Sequence, residues 1–161
     1  MTDQSPPPLP EFDLLGFTPY RLAVAAKRTS EALAKQYRSR FGISIPEWRV
    51  LVHLAYAGNV SVRDIEARVA MEKYEVSRAA KRLEEAGLIE KRAHQTDRRL
   101  VDLALTAKGR LMMAELLPIA RAHQEALEAR LGDAFEQLET GLEKLLEDIE
   151  PFSTEKQAPR G

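Results

Sequence analysis

A mainly helical chain carrying one small β-ribbon is what the sequence predicts, and three observations predict it. Apolar residues recur at helical spacing over six separate segments, most of them bracketed by capping residues and glycine stops. Residues 88–92 and 100–105 read instead as short strands, joined by the polar stretch AHQTDRR. The order is four helices, the ribbon and two more helices. A short helix, a tight connection, a second helix and a ribbon, in that order, make a winged helix-turn-helix.

Each element has its own signal. Thr18-Pro19 predicts an N-cap hydroxyl followed by proline at the first helical position. Leu22, Ala25, Ala26, Thr29, Leu33 and Tyr37 then trace a stripe of about six turns, closed by Gly42. Ser44-Ile45-Pro46-Glu47 is a capping box opening a helix with Trp48, Leu51, Val52, Leu54 and Ala55, closed by Gly58. Ser61-Val62-Arg63-Asp64 is an acidic version of the same box and starts a short helix through Val69. Ala70-Met71-Glu72 forms the connection to a helix over 73–86, stopped by Gly87. In the second strand Val101, Leu103 and Leu105 alternate against Leu100, Asp102 and Ala104. Thr106 caps a long helix over 107–131, which Pro118 should bend by removing one backbone hydrogen bond. After Gly132-Asp133, Phe135, Leu138, Leu142, Leu145 and Ile149 stripe a last helix.

Bulk properties narrow the function. The absence of cysteine excludes disulfides and thiolate metal sites and fits a reducing cytosol. Neither a signal peptide nor the roughly 20 apolar residues of a membrane span is visible. The net charge of −1 hides an asymmetry. Residues 1–60 hold 7 Lys+Arg against 5 Asp+Glu, residues 61–110 hold 12 against 9, and residues 111–161 hold 5 against 11. A basic middle between a weakly basic start and an acidic end suits a DNA-contacting module on a scaffold kept off DNA, although many solvated surfaces show as much.

On a helical wheel of residues 73–86, Val76, Ala79, Ala80 and Leu83 share one side. Tyr74, Arg78 and Lys81 fall opposite, flanked by Ser77, Glu75 and Arg82; with Lys73 they form a cationic face of the kind that reads a major groove. Exposed helices carry such charge for solubility alone, so this face by itself decides little. The ribbon tip adds weight. Asp97 stands two residues before Arg99, the spacing at which a carboxylate can hold a guanidinium bidentately before DNA arrives. Cations at a wing tip suit the concentrated negative potential of a minor groove. Arg98, Lys91 and Arg92 suit phosphate. The plainer alternative is a turn stabilised by Asp97 with incidental surface arginines.

ISIPEWRVL (43–51), VSRAAKRLEEAGLIEKR (76–92), TDRR (96–99) and VDLALTAKG (101–109), in this order and spacing, resemble the MarR family of bacterial transcription regulators. The resemblance covers about Ile43 to Gly109. It implies a homodimer binding a pseudo-palindromic operator, with a flexible arm at 1–16 and a dimerisation helix at 17–42. The winged domain would occupy 43–109, further dimerisation helices 110–150, and a flexible tail 151–161. It assigns Asp97 and Arg99 to the family's wing signature, and Ser77 and Arg78 to its recognition helix. Tyr74 and Glu75 stand where many relatives carry a small hydroxyl residue, and the cysteine of the thiol-sensing branch is missing.

Family members often release DNA on binding a small aromatic or anionic effector. The resemblance puts such a cleft near Tyr37, Trp48, His53 and His123, with Arg28 or Arg49 to meet a carboxylate. Aromatics at helical spacing are more often core, and single histidines more often incidental. No catalytic residue, cofactor or metal is expected. The three histidines are scattered, and there is no HExxH, G-x-S-x-G or glycine-rich loop after a strand. A ligand-independent architectural DNA binder and a winged-helix protein-interaction module remain the alternatives.

Overall fold

The computed structural model describes residues 5–68 and 71–147. In chain order these form α1 (Thr18–Phe41), α2 (Ile45–Ala57), β1 (Val60–Ser61), α3 (Val62–Arg68), α4 (Lys73–Glu85), β2 (Ile89–Ala93), β3 (Val101–Leu105), α5 (Ala107–Leu131) and α6 (Ala134–Glu147). The winged helix-turn-helix is therefore present, between one long helix before it and two helices after it. Val69, Ala70, Ile149 and the expected tail lie outside the described residues.

Capping sets most boundaries. Ser44 accepts the Glu47 N–H while Glu47 Oε2 accepts the Ser44 N–H, so the box at the start of α2 is reciprocal. Ser61 Oγ accepts the Asp64 N–H at 3.1 Å. Thr106 Oγ1 accepts the Gly109 N–H at 3.0 Å, as expected for the cap of α5. Gly42 ends α1 at φ 66°, a left-handed conformation that costs other residues strain. Thr18 is not a cap. Phe17 holds that position without a side-chain bond, and Thr18 and Pro19 are the first helical residues.

The sheet has three antiparallel strands in the order β1-β3-β2, where the sequence suggested two. Val60 pairs with Leu103 and Ser61 with Asp102. Two residues are too few to show alternation, and Ser61 reads equally as a helix cap. The longer strands also start one residue late. The Leu88 N–H donates to Leu83 O and so closes α4, and the Leu100 N–H donates to Asp97 O inside the turn. Alternation in β3 fails as well: Val101 is exposed, while Leu103 and its neighbour Ala104 are both buried. Helices α2 and α5 both pack on this strand, which covers Leu103 and Ala104 alike.

One hydrophobic core joins the winged domain to the first half of α5. Val50, Leu51 and Leu54 of α2 meet Val76 and Leu83 of α4, with Ile65, Leu103, Met113 and Leu116 around them. Burying each such aliphatic side chain contributes about 1.5–3 kcal/mol. On α1 only Ala34 and Tyr37 are fully buried; Leu22, Ala25 and Ala26 of the expected stripe face outward. Helix α6 buries no residue completely, and Leu138 and Leu145 of its stripe are exposed. Pro118 stands inside α5, which continues on both sides of it.

The end of α4 is clasped to the start of α5. Thr106 Oγ1 donates to Gly87 O at 2.6 Å, the Thr106 N–H to Leu88 O at 3.1 Å, and Lys108 Nζ to Ala86 O at 2.8 Å. These bonds satisfy carbonyls left over where α4 ends. Gly109 permits the approach, since a Cβ there would lie 2.0 Å from Leu88 O.

Candidate nucleic-acid interface

Helix α4 divides as its sequence predicts. Val76, Ala79, Ala80 and Leu83 are buried, mainly against α2, where the two alanines allow a close approach. Tyr74, Ser77, Arg78 and Lys81 lie on the exposed side. The Arg78 guanidinium sits over the Tyr74 ring, 5.9 Å from its centroid, one turn along the helix. Lys73 and Arg82 are 4.0 Å from carboxylates of Glu66 and Glu47, respectively. The second contact reaches the capping-box glutamate of α2, so the box that starts α2 also bears on α4. Among the described residues, Arg78 and Lys81 have no carboxylate partner. They are the cations of α4 most available to a polyanion.

At the wing tip the Asp97 carboxylate holds Arg99 through three donors. The Arg99 N–H and Nε donate to Oδ1 at 3.0 and 3.2 Å, and a terminal guanidinium nitrogen donates to Oδ2 at 3.4 Å. The guanidinium hydrogen bond, then the backbone N–H, hold the Asp97 carboxyl below its ordinary range, with Arg63 acting in the same direction. The shift favours the carboxylate form that Arg99 binds. The Arg99 side chain is nonetheless 91% exposed. Arg98 is exposed and, among the described residues, unpaired, which fits a phosphate contact. Lys91 and Arg92 at the wing base are tied to Glu84 and Glu90, by exposed and hence weak pairs that phosphate can displace.

Two residues at this surface escaped the sequence reading. Arg63, on α3, adds positive potential at Asp97 across the sheet. His94 accepts backbone N–H groups inside the wing turn. An imidazole Nδ1 at the end of a strand does there what an Asn or Asp oxygen does in an Asx turn, and only that analogy signals it in the sequence.

Of the residues suggested for a ligand cleft, two are in direct contact. Tyr37 and Trp48 stack at 5.3 Å, with Tyr37 in the core, where burial raises its pKa against the pull of Arg38 and Arg49. His53 Nε2 is buried without a hydrogen-bond partner. Burial, then Arg68, lower its pKa, and Asp64 opposes them. Arg28 is exposed, and Arg49 and His123 are half-buried. A different apolar groove of about 600 Å3 opens between α2, β3 and the first half of α5. Ala55, Leu105, Leu111, Met113 and Leu117 help to line it, with Arg110 as its charged member. Among the described residues no cluster of three or more His, Asp or Glu side chains is placed to hold a metal ion. No described helix is long and apolar enough to cross a membrane.

Comparison with known proteins finds likenesses to transcription regulators. The profile of the MarR family matches residues 41–100, from the start of the winged domain to the wing tip. The transcriptional regulator FarR of Neisseria gonorrhoeae is 29% identical over 105 residues, 63% of this chain and 72% of FarR. The transcriptional repressor MdtR of Bacillus subtilis is 32% identical over 100 residues, 62% of this chain and 59% of MdtR. The solved MarR/EmrR-family regulator from Acinetobacter sp. ADP1 superposes with a TM-score of 0.76 at 27% identity. That match covers 86% of this chain and 98% of the other.

Proposed function

We propose that the chain is a MarR-family winged helix-turn-helix transcription regulator, which represses transcription by binding a pseudo-palindromic operator as a homodimer. Each protomer lays α4 in a major groove and its wing in the neighbouring minor groove, with half-sites roughly 34–36 Å apart. The observation that carries this is Arg99, clamped by Asp97 yet 91% exposed. So exposed a pair stabilises a fold little. Its effect is to hold a guanidinium ready for an anion outside the chain, so less entropy is lost when the anion arrives.

The homodimer is supported by apolar surface that one protomer leaves open. Leu9, Phe12, Leu15 and Phe17 before α1, and Leu138, Leu145 and Leu146 on α6, are exposed. Apolar surface of this extent is normally covered by a partner, and in this family's architecture that partner is a second copy. Repression follows the sign named for MdtR. The deciding experiment is a gel shift at physiological salt with operator selected from random duplexes. Arg99→Ala should weaken binding about tenfold or more and lower the salt slope by about one. Unchanged affinity would refute the reading and favour a winged helix that contacts protein.

Release by a small effector is the second reading, favoured by the apolar groove with its single arginine, Arg110. Such a lining suits an aromatic acid. Thermal shifts with a panel of aromatic acids test it; no shift with any member would favour a ligand-independent DNA binder.

A further inference from the structure

The turn between β2 and β3 is organised around one ring. His94 Nδ1 accepts the backbone N–H of Asp97 at 3.0 Å and that of Thr96 at 3.3 Å, with the Thr96 hydroxyl also at 3.3 Å. A nitrogen that accepts N–H donors carries no proton, so the ring proton sits on Nε2. That atom lies 3.9 Å from Asp102 Oδ1 on β3. The side chains of His94 and Asp102 are 28% and 14% exposed, against 91% for Arg99. The ring is thus set into the body of the wing while the guanidinium stands out from it. The contacts form a relay in which the imidazole holds the Asp97 amide and the Asp97 carboxylate holds the amide and guanidinium of Arg99.

We propose that His94 is a positioning residue for operator binding, which selects through Asp97 the one turn conformation in which Arg99 is aimed at DNA. The proposal rests on the DNA-binding role of Arg99 given above. The ribbon does not need the ring to close, because its strands pair up to Ala93 opposite Val101 without it. What lies beyond, from His94 to Leu100, contains no strand or helix, and among its bonds are those His94 and Asp97 accept. A turn with these acceptors removed samples many conformations, and each copy of the protein loses that freedom again on binding.

Three substitutions separate aiming from general support. Asparagine places Oδ1 where the imidazole has Nδ1 and so keeps the acceptor. Glutamine places its amide near Nε2 and leaves the Nδ1 position empty, and leucine removes both. Fluorescence anisotropy with the selected operator should find His94→Asn within about twofold of the wild type. His94→Gln and His94→Leu should each lose about fivefold or more. In an Arg99→Ala background His94→Leu should cost nothing further, because the group it positions has gone. An equal loss in both backgrounds overturns the proposal, and so does glutamine that preserves binding where asparagine does not. Wild-type affinity of His94→Leu, beside a clear loss in Arg99→Ala, sinks the role of His94 alone. Wild-type affinity of Arg99→Ala sinks the reading beneath it as well. Should leucine impair folding, the comparison of asparagine with glutamine decides the matter by itself.

Discussion

Replacing Gly109 by alanine puts the packing between α4 and α5 to a quantitative test. The added Cβ would lie 2.0 Å from Leu88 O, 3.1 Å from Leu88 C and 3.3 Å from Leu105 Cδ2. The first contact is about 1 Å inside the 3.0 Å floor for such pairs, and its partner is backbone, which cannot swing aside. Either the start of α5 or the 87–88 segment must move. The same movement strains the bonds from Thr106 to Gly87 O and Leu88 O, each worth about 0.5–1.5 kcal/mol. Overpacking costs about 1–3 kcal/mol. Alanine recovers about 0.5–1 kcal/mol of helix propensity. A net loss of about 1–2 kcal/mol is expected by urea denaturation at fixed protein concentration, since the stability of any assembly depends on it. Gly141→Ala is the control: it lies within α6 with nothing within 4 Å of the added carbon, and should be neutral or slightly stabilising. If Gly109→Ala unfolds at the wild-type denaturant concentration or above it, the tight contact with Leu88 has been misjudged.

Ser44→Ala removes the acceptor for the Glu47 N–H and one half of the box that starts α2; a loss of about 0.5–2 kcal/mol in the same denaturation assay is expected. Asp97→Ala makes the wing more positive yet should weaken operator binding in the gel shift, since Arg99 is no longer held; tighter binding would leave only simple electrostatics. His53 makes stability depend on pH. Its folded-state pKa is lowered, so as the pH falls below the ordinary histidine value the unfolded chain takes up a proton that the folded chain resists. More protons on the unfolded state mean that stability rises with pH there and is lost on acidification, down to the lowered folded value. His53→Leu should flatten that part of a plot of melting temperature against pH; an unchanged slope would assign it to other groups.

What the sequence made legible, and what it hid, divides by distance along the chain. The buried face of α4 and the pairing of Asp97 with Arg99 depend on residues two to seven apart, within reach of periodicity and local chemistry. The cap of α2 is equally local. Strand β1 was hidden because it is two residues long and shares Ser61 with a helix cap. The bonds from Thr106 to Gly87 and from Lys108 to Ala86 span 19 and 22 residues, and no local pattern announces them. The exposed half of α1 and the open stripe of α6 show the same limit from outside. Periodicity marks an apolar face but not whether its cover comes from the same chain.

The clasp between α4 and α5 has a mechanical consequence. With Ala86, Gly87 and Leu88 tied to Thr106 and Lys108, and no side chain at Gly109 to hold the backbones apart, the joint has little slack. A tilt of α5 therefore swings α4, the proposed reading rod, like a crank. Wherever two such subunits are joined through α5 and α6, the span between the rods follows the pose of those shafts. A wedge driven in beside α5 would change the gauge of the pair without touching any residue proposed to meet a base.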